Sequence, residues 1–113
     1  MRGQVVVVSL DPPVGTEMGK TRPCLIISND IANECSPQVT VVPITSYDPK
    51  KAVFPICVEV SAGEGGLKDK SIVNASQIRT IDKKRVIKML QTLSEETVGK
   101  VDLSLKVHLN LRT

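Results

Sequence analysis

The sequence offers few side chains that could do chemistry, and the most pointed arrangement of them centres on an arginine. The stretch Gly19-Lys20-Thr21-Arg22-Pro23-Cys24-Leu25-Ile26-Ile27-Ser28-Asn29 starts polar and turns apolar within a few residues. Gly15, Thr16 and Gly19 predict a flexible loop. Pro23 keeps Arg22 out of the α region and in extended backbone. Arg22 is therefore expected where a loop meets a rigid strand, a position suited to a site residue. An exposed arginine ahead of a core strand fits the same local pattern. A second polar pair, Thr45-Ser46, follows Pro43 inside a β-branched run. A proline there removes a ladder donor and predicts a bulge or an edge position, which would aim Thr45 and Ser46 away from the regular pleat.

Other chemistries are poorly supplied. The three cysteines, Cys24, Cys35 and Cys57, are odd in number and lack a C-x-x-C spacing, which argues against a disulfide framework and a thiolate zinc site. His108 is the one histidine, and no clustered carboxylate motif is visible. Net charge is a mild +3, unevenly placed: Lys68, Lys70, Arg79, Lys83, Lys84, Arg85 and Lys88 crowd one region. Such a region fits a phosphate-attracting face and a solvated surface alike. Tyr47 and Phe54 are the only aromatic residues, so a base-stacking platform requires the fold to bring the two together.

The elements that must hold these residues read as β-rich. A chain of 113 residues, 41% hydrophobic, is one domain (residues 1–113) able to bury its own core. The apolar runs are strand-sized, which excludes a transmembrane helix. The apolar stretch Val5–Val8 is too short for a secretory signal, and a cytoplasmic location is expected. Strands are predicted at Gln4–Leu10, Cys24–Ser28, Val39–Ser46 and Phe54–Ser61, with shorter pieces at Ser71–Ala75 and Gln77–Ile81. Asn29–Pro37 reads as a turn and Ala62–Gly66 as a flexible connector. Asp82 is placed to cap a short helix with an apolar face of Val86, Ile87, Leu90 and Leu93. Ser94 with Glu95 and Glu96 predicts a second helix start. The final segment is ambiguous: Val101, Leu103, Leu105, Val107, Leu109 and Leu111 alternate as in a strand, while Val98, Val101, Leu105 and Leu109 fit one side of a helix.

Taken together, Arg2-Gly3, Leu10-Asp11-Pro12, Val14-Gly15, Gly19–Pro23, Ile26–Asn29, Val42–Ser46 and Gln77–Asp82 occur in order. This set resembles the MazF/PemK (Kid) toxins of type II toxin–antitoxin modules, over nearly the whole chain. The resemblance implies an SH3-like small barrel, mainly β with C-terminal helices, and for the final segment a helix. It also implies a homodimer, a small acidic antitoxin partner, and a metal-independent endoribonuclease (an mRNA interferase) that cuts single-stranded RNA by attack of the 2′-hydroxyl. By the same resemblance Arg22 and Thr45 are the catalytic residues. A guanidinium matches phosphate geometry bidentately, and a threonine hydroxyl can donate to a nonbridging oxygen. Glu17, Lys20, Ser46, Gln77 and Arg79 are candidates for substrate contact, Arg79 equally for packing its stem over the barrel. The Kid-like branch carries an arginine and an aspartate in catalytic roles where this chain has Asn74 and Ser76, which favours an Arg22/Thr45 mechanism over an aspartate-based one. Two other functions fit the fold: gyrase inhibition through a C-terminal helix end, which the polar Asn110-Leu111-Arg112-Thr113 supports little, and a binding module without activity, against which Arg22 and Thr45 argue.

Overall fold

The computed structural model describes residues 1–10, 20–53 and 55–112. Among them, seven strands and two α-helices follow in chain order: β1 (Gln4–Ser9), β2 (Thr21–Ile26), α1 (Asp30–Cys35), β3 (Gln38–Ser46), β4 (Cys57–Val60), β5 (Ser71–Asn74), β6 (Arg79–Asp82), β7 (Val86–Thr92) and α2 (Glu95–His108). Every described strand pairing is antiparallel, in the order β4-β5-β3-β2-β1-β7, with β6 also on β3. The mainly β class with a C-terminal helix is the one expected.

β3 bends the sheet over on itself. Its first half, Gln38–Val41, pairs with β6, and its end, Ile44–Ser46, pairs with β5. Pro43 falls in the interval between those two partners, where the ladder on that edge is already interrupted, and it stays opposite Cys24 of β2. The proline thus marks a change of partner in a central strand. It makes neither an edge nor a departure from the pleat, since Thr45 and Ser46 remain in register with Ile72 and Ser71.

Alternation along the strands gives the sheet two apolar faces. One carries Val5, Leu25, Val42, Ile44, Val58 and Val73, and α2 closes it with Val101 and Leu105. The other carries Val6, Val8, Cys24, Ile26, Val41 and Ile81. The ambiguous C-terminal segment is helical because its first turn is capped: Ser94 Oγ accepts from Thr97 N at 3.2 Å, and Glu95 and Glu96 lie at the positive end of the dipole. Arg2 anchors the helix from the far end of the chain, with Nη2 2.5 Å from Asp102 Oδ1 and Nε donating to Ile27 O.

Three local expectations are corrected. The helix after Asp82 is a strand: Asp82 caps only the 3-10 turn Lys83–Arg85, and Val86–Thr92 then pairs with β1. A β-branched start and a long-range partner override the helical spacing of Val86, Ile87, Leu90 and Leu93. The turn at Asn29–Pro37 contains α1, whose first turn is held by Asn29 Oδ1 accepting from Ala32 N at 2.8 Å. β2 begins at Thr21 and not Cys24, so Arg22 lies inside a strand, opposite Val8. Phe54 and residues 11–19, on which the sequence places a flexible loop, lie outside the described residues.

Candidate active site

The Arg22–Thr45 relation is a consequence of register. Cys24 pairs with Pro43, Leu25 with Val42 and Ile26 with Val41. The β2–β3 pairing ends at Cys24 and Pro43, and Arg22 and Thr45, two residues beyond each, fall on the same face as that pair by strand alternation. β5 extends the row, because Ile72 pairs with Thr45, and the next row on that side is Asn74 opposite Cys57 of β4. Arg22, Thr45, Ile72, Asn74 and Cys57 accordingly line one open groove of about 670 Å³, walled beyond β3 by Ser46, Tyr47, Asp48, Pro49 and Lys51.

The wall is built locally. Asp48 Oδ1 accepts from Lys50 N at 3.0 Å and Asp48 O accepts from Ala52 N at 3.0 Å, so an aspartate-initiated turn shapes the 48–52 segment. Buried Ser104 of α2 donates its hydroxyl to Pro55 O and ties the end of this segment to the helix. Tyr47 is held under Lys70, whose Nζ lies 3.9 Å from the ring centroid and 3.6 Å from Glu59 Oε2.

The predicted site residues divide. Arg22, Thr45 and Ser46 share the groove. Gln77 and Arg79 line a separate cavity of about 190 Å³, floored by Leu10, Cys24, Val41 and Pro43. Arg79 Nη1 donates to Leu10 O at 3.1 Å, a structural engagement at the end of β1. Lys20 is exposed, at φ 67°, and its carbonyl accepts from Leu10 N at 2.8 Å. Its backbone therefore joins the end of β1 to the start of β2, and Lys20 is not among the groove-lining residues. Glu17 lies outside the described residues. Cys24, two residues after Arg22 on the same face of β2, lines the smaller cavity. Burial pushes the Cys24 thiol up to about 12, against the opposing pull of Arg22 and Arg79, so it stays protonated and inert at neutral pH.

Sequence reasoning singles out none of Tyr47, Asp48, Lys51 and Asn74 individually, although the Asp48–Ala52 turn and the Lys68–Gln77 stretch are among the segments it offers for reading substrate bases. Asn74 left a signal, as the departure from the Kid-like pattern. The others reach the groove through a turn whose place over the sheet no local pattern encodes.

Fold and groove together define a small, mainly β protein with a guanidinium and a hydroxyl lining one open groove. The model of the PemK-like, MazF-like toxins of type II toxin–antitoxin systems matches residues 1–109. The chain belongs to this family. It is 42% identical over 110 residues to the endoribonuclease EndoA of Bacillus subtilis (strain 168), covering 97% of this chain and 94% of that protein. Among solved structures it resembles a mycobacterial endoribonuclease in complex with its cognate antitoxin, with a TM-score of 0.81 and 26% identity over 100% of this chain and 97% of that one. MazF from Deinococcus radiodurans shares the fold, with a TM-score of 0.82 and 24% identity over 96% and 94% of the two chains.

Proposed function

We propose that this toxin is a metal-independent endoribonuclease that cuts single-stranded RNA in the cytoplasm, with Arg22 and Thr45 as its catalytic residues. The observation that carries the reading is that Arg22 of β2 and Thr45 of β3 line one groove, beyond the last paired residues of those two strands. The substrate's 2′-oxygen attacks phosphorus, its proton passing to a base or water. The P–O5′ bond breaks and O5′ takes a proton. The products are a 2′,3′-cyclic phosphate and a 5′-hydroxyl. Negative charge on the nonbridging oxygens grows as the phosphorane forms. Arg22 stabilises that charge through its planar fork, and the Thr45 hydroxyl donates to one oxygen. Ser46 at the groove mouth contacts the adjacent nucleotide. Gln77, in the smaller cavity, reads a base edge.

The chain acts as a homodimer. Exposed Met1, Ile87 and Met89 surround a groove of about 530 Å³ floored by Val6, Ile26 and Val39, an apolar surface suited to a second copy. Light scattering should show twice the 12.2 kDa chain mass. An acidic antitoxin segment occludes the groove by mimicking phosphates with carboxylates. Incubating the protein with a long RNA in EDTA and sequencing the new 5′ ends tests the function. Cuts at a short repeated sequence support it; gyrase inhibition without cuts overturns it.

A further inference from the structure

We infer that the Asn74 carboxamide is a preorganised, neutral hydrogen-bond donor to a nonbridging oxygen of the scissile phosphate, an inference that rests on the endoribonuclease reading above. Asn74 ends β5 and lines the groove with Arg22 and Thr45. Its Oδ1 accepts two hydrogen bonds, from Ser76 N at 3.0 Å and from Ser76 Oγ at 2.6 Å. The first fixes the orientation of the amide. A backbone N–H only donates, so the atom facing it must be the carbonyl oxygen and not the NH2. Nδ2, with two N–H donors, is turned the other way. Among the described residues it has no acceptor.

The support behind Asn74 is rigid. It caps the 3-10 turn Ala75–Gln77, and the turn is pinned by Ala75, which is fully buried in the core that α2 closes. Ala75 N also donates to Ile56 O. A donor held this way need not reorganise when its acceptor gains charge, which is the condition under which a single hydrogen bond contributes most to catalysis. The chemistry of the acceptor fits. A phosphodiester carries one negative charge over its nonbridging oxygens, and attack by the 2′-oxygen adds more. Arg22 and Thr45 approach from β2 and β3, whereas Asn74 comes from β5, so the three donors address the phosphate from different sides.

The competing account makes Asn74 only a cap, and Asn74→Asp separates the two. A carboxylate accepts both Ser76 bonds and keeps the turn, but it removes the donor and places an anion in its stead. The assay is cleavage in EDTA of an RNA oligonucleotide with one cut site, made with oxygen, or with sulfur at either nonbridging position. Asn74→Asp is expected to melt like the wild type and to lose at least about 100-fold in kcat. Asn74→Ala is expected to lose about 10–100-fold on the oxygen substrate. On one sulfur diastereomer it should lose no more than about threefold, because sulfur has already forfeited the bond. Asn74→Asp at the wild-type kcat, or an Asn74→Ala loss equal on all three substrates, would overturn the assignment. If Asn74→Asp does not fold, the sulfur comparison with Asn74→Ala decides alone. A wild-type protein that cuts no RNA in EDTA removes the endoribonuclease reading itself, which a failure confined to Asn74 leaves standing.

Discussion

Replacing Thr45 by valine isolates one hydroxyl. Thr45 is half-buried in β3, opposite Ile72 of β5. Valine keeps the β-branch, the extended backbone and the ladder, so the groove floor should not move. Because the hydroxyl faces the open groove, its removal leaves no buried partner unsatisfied, and stability should change by no more than about 0.5 kcal/mol. The catalytic effect should be far larger. Loss of one preorganised donor to a developing oxyanion costs about 10²–10³ in kcat, or about 2.7–4 kcal/mol. Single-turnover cleavage of an RNA oligonucleotide in EDTA, with a thermal melt beside it, reads both quantities. Thr45→Ser, which restores the hydroxyl without the methyl, should recover most of the rate. The reasoning is refuted if valine cuts as fast as threonine, or if serine is as damaged as valine.

Two further outcomes test the fold. Gly65 sits at φ +65°, and a Cβ there would lie 2.6 Å from Leu93 Cδ2 and 2.9 Å from Val5 Cγ2, so Gly65→Ala should destabilise by about 1–3 kcal/mol; a melt unchanged from wild type would contradict this packing. In the native protein exposed Cys35 should react fast with a thiol reagent at pH 8, while buried Cys24 should react only on unfolding. Burial raises the Cys24 thiol from 9.0 to about 12, so the unfolded chain loses that proton first. Its contribution is intact below pH 9 and declines as pH rises toward 12, and Cys24→Ala should flatten that alkaline loss. Denaturant titrations at pH 8 and pH 10.5 would show the difference.

The sequence was legible where its signals were local. Pro23 and the apolar run behind it placed Arg22 on extended backbone, and the Ser94 cap with its two glutamates marked the start of α2, although the helix itself was taken from the resemblance over the strand-like alternation. It was illegible where the partner was distant. Val86–Thr92 has helical spacing, and only its pairing with β1 makes it a strand. The same limit hid the divided site. Gln77 and Arg79 follow closely on Asn74, yet the 3-10 turn between them sends Asn74 to the groove and the other two to the cavity beside it. Thr45 was singled out by resemblance, while its place in one groove with Arg22 depends on the pairing of two strands that neither strand alone encodes.

The central claim is that Arg22 makes this groove a phosphodiester-cleaving site. The most direct measurement compares wild type, Arg22→Lys and Arg22→Ala on one RNA in EDTA, with melts confirming that all three fold. The wild type should give defined cuts ending in 2′,3′-cyclic phosphate. Arg22→Lys should be severely slowed, because a point charge cannot form the bidentate fork, and Arg22→Ala should give none above background. Cleavage by Arg22→Ala at the wild-type rate and at the same sites would contradict the account.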